Sequence, residues 1–138
     1  MASKTEIFVD TSWFKGLVDE SDDFHSEAYV QMKKVKDEKL LLLASNFIVD
    51  ESLTLIRVKA DLKTAMEFSD ILFEMQNILK IIRITSQDEK EAWNWFPKDW
   101  SKLSFTDCTS FAVMQRLGLE EVLTFDDHFA QAGFKIFK

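Results

Sequence analysis

The sequence predicts an α/β fold in which a parallel sheet carries helices on both of its faces. Short apolar runs rich in β-branched and aromatic residues alternate with longer segments in which apolar residues recur at helical spacing. This alternation is typical of strand–helix–strand units, which build parallel sheets. The 138 residues include only three glycines and one proline, so no stretch resembles a linker, and we expect a single domain over residues 1–138.

The composition is that of a globular protein, because 46% of the residues are hydrophobic and 13% are aromatic. The single cysteine, Cys108, excludes an internal disulfide and disfavours a zinc site built from several cysteines. No apolar run is long enough to span a bilayer and no signal-peptide core begins the chain, so we expect a cytoplasmic protein without membrane contacts. The formal net charge of −7 argues against a surface that coats nucleic acid, although it is compatible with a nuclease whose metal site is lined by carboxylates.

The first part of the chain contains three strand patterns separated by helical ones. The predicted elements are a strand at 5–9, a helix at 11–17, a helix at 22–39, a strand at 40–43, a helix at 46–59, a helix at 62–78 and a strand at 79–84. Ser45 can cap the helix that follows the second strand. The helices at 22–39 and 62–78 carry more methionine and aromatic residues than one small core needs, which predicts a homodimer joined partly through them.

The second part of the chain carries the strongest local signals. Its predicted elements are a helix at 86–96, a helix beginning after 104, a strand at 122–125, a short helix and an edge strand at 134–137. Ser104 can cap the long helix, and Asp107 stands at the capping-box position. Gly118 suits the left-handed residue that ends that helix, and Gly133 ends the short one.

The loop at 97–102 joins the short helix at 86–96 to the long helix that begins after 104. It offers Lys98 and Lys102 next to Trp95 and Trp100, and basic and aromatic groups together can hold a nucleic-acid strand. Tryptophan is highly buried on average, so packing of the two indoles is the favoured interpretation.

Three aspartates stand where a parallel sheet would gather them. Asp10 and Asp126 follow predicted strands, and Asp107 begins a predicted helix. In an open α/β sheet, strand ends and helix starts meet at one edge, where ligands bind. Each aspartate alone is also a common cap or turn residue, but the three placements together favour a functional cluster.

Glu51 is a fourth candidate, placed by the pattern of the helix at 46–59. It shares a face with Phe47, Ile48, Leu55 and Val58, whereas Asp50 lies on a more polar face, so Glu51 is the acid expected to turn toward the core. Buried carboxylates are rare unless they are paired or bind a metal. The spacing leaves open whether Glu51 binds a metal or pairs with a lysine or arginine.

A cluster of carboxylates is typical of a site for Mg²⁺ or Mn²⁺, because hard divalent cations prefer oxygen ligands. Such a cation lowers the pKa of a bound water and stabilises charge on a phosphate. The sequence shows neither a glycine-rich phosphate loop nor a nucleophile elbow, and its two histidines do not have the spacing of metal ligands.

At these residues the chain resembles PIN domains. The stretches Ile7–Ser12, Ser104–Cys108 and Leu123–Phe129, together with Glu51, match the four motifs of that family across nearly the whole chain. The resemblance implies a three-layer α/β/α sandwich around a parallel sheet, and a single PIN-like domain. It also implies an Mg²⁺- or Mn²⁺-dependent endoribonuclease, often the toxin of a VapBC-type toxin–antitoxin pair, with RNA as substrate and an antitoxin as partner.

The resemblance also assigns roles to residues. Asp10 and Asp107 match the best-attested metal ligands, Glu51 and Asp126 match the second and fourth acids, and all four are expected to be catalytic metal ligands. Ser12 matches a hydroxyl position that accompanies the first acid, and we expect it to bind substrate. Asp127 also lies in the last motif, but Asp126 lies nearest the strand end.

Two other functions compete with this interpretation. One is a catalytically silent PIN-like module that binds RNA or protein. The presence of all four acids argues against this alternative. The other is a receiver-type phosphorylation switch, which needs adjacent acids after the first strand and a lysine after the last. The first strand is followed by Asp10 alone, so the nuclease is the favoured hypothesis.

Overall fold

The computed structural model describes residues 5–138 and contains a five-stranded parallel sheet flanked by helices, which confirms the predicted three-layer α/β/α fold. The elements in order are β1 (Glu6–Val9), α1 (Thr11–Val18), α2 (His25–Asp37), β2 (Leu41–Ser45), α3 (Asn46–Lys59), α4 (Leu62–Glu74), β3 (Leu79–Ile82), α5 (Ser86–Trp95), α6 (Phe105–Leu117), β4 (Glu121–Leu123), α7 (His128–Gln131) and β5 (Lys135–Ile136). Among these residues, no helix is both long and apolar enough to cross a membrane.

The strand order is β3-β2-β1-β4-β5, and all four pairings are parallel. The chain adds β2 and β3 on one side of β1 and then returns to add β4 and β5 on the other. Because such crossovers are right-handed, α1 to α4 lie on one face and α5 to α7 on the other. The direction of travel reverses between β1 and β4, and ligands of open α/β sheets bind outside the carboxyl ends of the strands at such a point.

Local signals in the sequence determine most of the element ends. Ser45 Oγ accepts a hydrogen bond from Ile48 N at 3.0 Å, as a capping residue does. Gly118 has φ 68°, the left-handed conformation predicted for it. The helix predicted from Asp22 begins only at His25, because Asp22 Oδ1 instead accepts from Phe24 N at 2.8 Å in a preceding turn.

The core is built around β1 and is rich in aromatic side chains. Phe8 is fully buried, and Phe111 of α6 packs edge-on against Phe129 with ring centroids 5.1 Å apart. Trp95 and Trp100 also pack against Phe111, at 5.0 and 6.4 Å between centroids. The packing interpretation of these two indoles is therefore confirmed, and they do not form an exposed nucleic-acid platform.

Candidate active site

Asp10 lies at the carboxyl end of β1 and caps helix α1. Its side chain is buried and accepts three hydrogen bonds, all through Oδ2: from Ser12 Oγ at 2.8 Å, Ser12 N at 3.3 Å and Thr124 Oγ1 at 2.8 Å. Within residues 5–138, Oδ1 accepts no hydrogen bond. Burial, followed by the charge of Asp107, raises the pKa of Asp10 to about 7.

Asp107 lies in the first turn of α6, in the predicted capping box. Its Oδ2 accepts from Ser104 N at 3.1 Å, and Ser104 Oγ accepts from Asp107 N at 2.9 Å. The carboxylate is 5% exposed, and its Oδ1 accepts no hydrogen bond from the described residues. Burial raises the pKa of Asp107, and the Asp126 charge adds to this effect against the opposing hydrogen bond from Ser104.

Asp126 follows β4, so it lies beside Asp10 at the point where the chain reverses direction across the sheet. Its backbone N donates to Thr124 Oγ1 at 3.0 Å, and its Oδ1 accepts from His128 N at 3.0 Å. Its side chain is 32% exposed, and Oδ2 has no hydrogen-bond donor among the described residues. Asp127, the alternative in the same motif, is exposed.

His128 is the site residue that the sequence interpretation missed. Its Nδ1 lies 3.1 Å from Asp107 Oδ2 and 3.0 Å from Asp126 Oδ1, while its Nε2 lies 2.7 Å from the carbonyl oxygen of Ser101. Asp107, Asp126 and His128 each offer a ligand atom within 4.8 Å of the others, so His128 belongs to the acidic cluster although the spacing of the two histidines in the sequence does not predict it. The position of His128 two residues after Asp126, inside the quoted motif, was the available signal.

The contacts of His128 favour its protonated form. A carbonyl oxygen only accepts, so Nε2 must donate to Ser101, and Nδ1 then faces two carboxylates that also accept. Burial alone lowers the pKa of His128, but the Ser101 carbonyl and the carboxylates of Asp126 and Asp107 together raise it. In its protonated form, the ring offsets part of the negative charge of Asp107 and Asp126.

Glu51 lies on α3 and is half-buried, whereas Asp50 is exposed, so Glu51 is the more inward of the two acids. The predicted inner face is shifted, however, because Val58 is 72% exposed and the buried residues of the helix are Ile48, Ser52 and Ile56. Glu51 thus lies beside the buried stripe, close enough for its charge to raise the pKa of Asp107. It forms no ion pair with a lysine or arginine in the described part of the chain.

Ser12 connects Asp10, at the start of α1, to the loop that follows β4. Its hydroxyl donates to Asp10 Oδ2 and accepts from Phe125 N at 2.9 Å, with Thr124 Oγ1 3.1 Å away. These contacts hold the loop after β4 against the start of α1. The hydroxyl predicted to bind substrate is therefore engaged in hydrogen bonds to the protein itself.

Asp10, Asp107 and Asp126 share one feature that bears on metal binding. Each uses one carboxylate oxygen to hold its position and leaves the other without a hydrogen bond from residues 5–138. Supporting hydrogen bonds of this kind orient the ligands of known metal sites. No lysine or arginine forms an ion pair with these acids in the same residues, and the donors are hard oxygens, so the site fits a cation such as Mg²⁺ or Mn²⁺.

Comparison with known proteins identifies relatives of this chain. The family model of the PIN domain matches residues 7–135. The chain is 32% identical over 130 residues to the 23S rRNA-specific endonuclease VapC20 of Mycobacterium tuberculosis, which covers 93% of this chain and 95% of that protein.

Two solved structures are also similar. The crystal structure of Mycobacterium tuberculosis VapC20, described as a Sarcin-Ricin loop cleaving toxin, has a TM-score of 0.79 and 31% identity, with 93% of this chain and 95% of that chain covered. VapBC2 from Rickettsia felis, bound to a DNA fragment from their promoter, has a TM-score of 0.69 over 96% of this chain and 98% of that chain. At 10% identity, the second likeness concerns the fold alone.

Proposed function

The chain belongs to the PIN domain family, and from this premise we propose that it is an Mg²⁺- or Mn²⁺-dependent endoribonuclease and the toxin of a toxin–antitoxin pair. As a VapC-type protein it is a nuclease. The observation that carries the metal dependence is the free oxygen on each of Asp10, Asp107 and Asp126. A module that only bound RNA or protein would have no use for three oriented carboxylates that lack a lysine or arginine partner among residues 5–138.

In the proposed reaction, Asp10 and Asp107 would hold the cation, and Glu51 and Asp126 would complete the acidic site. When bound, Mg²⁺ or Mn²⁺ lowers the pKa of a coordinated water and offsets negative charge on the phosphate. His128 fixes the orientation of Asp107 and Asp126, and the Ser12 hydroxyl fixes that of Asp10. Water adds to phosphorus and the bond to the 3′ oxygen breaks, so the products carry a 5′-phosphate and a 3′-hydroxyl and no side-chain nucleophile is needed.

The RNA substrate that we propose is the large-subunit ribosomal RNA. The support is the 32% identity to a 23S rRNA-specific endonuclease over 93% of the chain, and the similar structure described as cleaving the sarcin–ricin loop. The test is incubation of purified bacterial 23S rRNA with the protein in Mg²⁺, in Mn²⁺ and in EDTA, followed by primer extension across that loop. Cleavage in EDTA would contradict metal dependence, and intact rRNA in both metals would contradict the substrate.

The proposed antitoxin brings an arginine or lysine to the acids. Asp10 and Asp107 have no such partner within the described chain, and a cation of this kind inserted between them would compete with the metal. Reversing the charge of the inserted residue should weaken the complex and restore cleavage. A complex of unchanged affinity would contradict this mechanism.

A homodimer remains our proposal for the assembly. Helices α2 and α4 expose several apolar side chains, namely Tyr29, Val30, Leu62, Met66 and Phe73. Tyr29 also lines a cavity of about 680 Å³ to which both helices contribute. Covering such side chains is the common reason for dimer formation. A light-scattering mass equal to one chain at micromolar concentration would contradict the dimer.

A further inference from the structure

We propose that Lys102 contacts a phosphate of the RNA substrate and that a strained turn presents it there. This inference rests on the proposed ribonuclease function and adds a substrate-binding residue to it. The argument uses the backbone of the turn, its attachment to the acids, and the charge of the cavity that it borders.

Lys102 has a backbone conformation that lysine rarely adopts. Leu103 N donates to Trp100 O at 3.2 Å, which closes a four-residue turn, and Lys102 in its third position has φ 63°. Turns with a positive φ at this position usually have glycine or asparagine there, because a Cβ atom is strained. Lysine at this position therefore costs folding free energy that glycine would not, and its exposed side chain is what glycine would lack.

The turn is fixed to the acidic site. The Ser101 carbonyl accepts from His128 Nε2 at 2.7 Å, and the other ring nitrogen of His128 contacts Asp107 and Asp126. On its other side the turn is held by Trp100, whose ring packs against Trp95 at 6.1 Å between centroids. The backbone of the turn is therefore connected to the acids through Ser101 and His128, and Lys102 is the next residue along the chain.

The surroundings of Lys102 suit a phosphate. It borders a cavity of about 520 Å³ with Asp126, Asp127 and His128, and its side chain is exposed. It forms no ion pair within residues 5–138, although carboxylates line the same cavity. An acidic cavity repels RNA, so a free ammonium at its border supplies the attraction that holds the backbone of the strand near the acids.

Lys39 provides a matched control, since it is the other non-glycine residue with positive φ among those described, at 54°. Its conformation has a structural explanation, because Lys39 N and Leu40 N donate to Lys36 O and Val35 O as α2 ends. Lys39 precedes β2, so it lies at the amino ends of the strands, on the edge of the sheet opposite the acids.

The experiment compares Lys102→Gly, Lys102→Arg and Lys39→Gly with the wild type, using a fluorescein-labelled RNA hairpin of the sarcin–ricin loop sequence. Glycine relieves the strain at either position, so both glycine variants should have a Tm equal to or above that of the wild type. In Mg²⁺, Lys102→Gly should lower kcat/KM about tenfold, whereas Lys102→Arg and Lys39→Gly should stay close to the wild type. The slope of log kcat/KM against log salt should become shallower by about 0.7 for Lys102→Gly alone.

Equilibrium binding of the same hairpin in EDTA, followed by fluorescence anisotropy, tests the contact without cleavage. Lys102→Gly should bind about tenfold more weakly than Lys39→Gly. Equal binding and equal kcat/KM for the two glycine variants would overturn the inference. A lowered Tm in Lys102→Gly together with loss of activity in Lys102→Arg would also overturn it, because Lys102 would then serve the fold and not the RNA. If the wild type binds the hairpin more tightly than Lys102→Gly does but does not cleave it, the proposed ribonuclease function is overturned, whereas the proposed phosphate contact is supported.

Discussion

Helices α5 and α6 pack against each other and begin with the same motif, yet their capping acids have opposite surroundings. In α5, Asp88 Oδ2 accepts from Thr85 N at 2.9 Å, and in α6, Asp107 Oδ2 accepts from Ser104 N at 3.1 Å. Both acids are buried, at 1% and 5% exposure. The local backbone therefore gives no reason to treat the two acids differently.

The difference lies in what the rest of the chain brings to each acid. Arg116 donates to both oxygens of Asp88, at 2.8 and 2.9 Å. Burial raises the pKa of Asp88, but the hydrogen bonds from Arg116 and Thr85 together outweigh burial, so the pKa of Asp88 lies below its usual value. Asp107 meets Asp126 and His128 instead and keeps one oxygen free, and burial raises its pKa. A capping acid with both oxygens engaged stabilises the fold, whereas one with a free oxygen among other acids is a candidate ligand.

The largest expected difference is in cleavage. Asp107→Asn keeps the shape of the cap but removes a proposed metal ligand, so we expect RNA cleavage in Mg²⁺ to fall by about 100-fold or more. Asp88→Asn makes the same chemical change in the other capping box and should keep cleavage near the wild-type rate. Primer extension on 23S rRNA measures both, and metal-dependent cleavage that survives in Asp107→Asn would show that the active site has been assigned wrongly.

Stabilisation by metal should separate the two acids next. A ligand that binds only the folded state stabilises it by mass action, by about 2.7 kcal/mol when present at 100 times its Kd. Added Mg²⁺ should therefore raise the Tm of the wild type and of Asp88→Asn, and this increase should shrink sharply in Asp107→Asn. Thermal melts with Mg²⁺ and with EDTA check this, and an undiminished increase in Asp107→Asn would contradict the ligand assignment.

In the absence of metal, Asp88→Asn should be less stable than the wild type, whereas Asp107→Asn should not. Asp88→Asn breaks a bidentate pair with Arg116, and we expect a loss of about 1–2 kcal/mol, toward the low end because the arginine is 38% exposed. Asp107→Asn removes a charge that burial disfavours, so its stability in EDTA should equal or slightly exceed that of the wild type. Urea denaturation measures both, and a marked loss in Asp107→Asn would mean that capping is its main role.

The pH dependence in EDTA gives the smallest expected effect. The folded-state pKa of Asp10, about 7, lies above its ordinary value of 3.8. Between these two values the folded protein binds more protons than the unfolded protein does. The free energy of unfolding should therefore fall as pH rises from about 4 through 7, by at most about 1.4 kcal/mol per pH unit. Asp88 has a lowered pKa, so its contribution is present above pH 3.8 and is lost as pH falls below it. Asp10→Asn should lose most of this decline in the free energy of unfolding toward pH 7, whereas Asp88→Asn should show the same decline as the wild type. If the free energy of unfolding of Asp10→Asn depended on pH as steeply as that of the wild type, the raised pKa of Asp10 would be contradicted.

Most of the fold could be predicted because its signals are local. Apolar runs predicted the strands, and Ser45, Ser104 and Gly118 predicted helix ends through hydrogen bonds and backbone angles within a few residues. The positions of Asp10 and Asp126 after strands could be predicted for the same reason. The inward face of α3 was predicted less accurately, because helical spacing does not say which of the apolar residues, such as Val58, stays exposed.

The contacts that separate Asp88 from Asp107 could not be predicted, because they join distant segments. Arg116 lies 28 residues from Asp88, and His128 lies 21 residues from Asp107. Alternation of strands and helices predicts a parallel sheet but not the order β3-β2-β1-β4-β5, which decides the segments that meet. The same separation explains why His128 was overlooked although its motif was recognised.

The central position of β1 between β2 and β4 has a consequence for synthesis of the protein. Phe8 pairs with Val122, and the Thr124 hydroxyl donates to Asp10 across 114 positions of the chain. While a nascent chain still lacks β4, one side of β1 has no partner strand, and neither Thr124 nor Asp126 is present beside Asp10. Under the proposed function, we expect the ribosome that makes this protein to meet no nuclease activity until the strands after α6 have emerged. A product truncated before Thr124 would lack Asp126 and the hydroxyl that orients Asp10, so it should not cleave RNA.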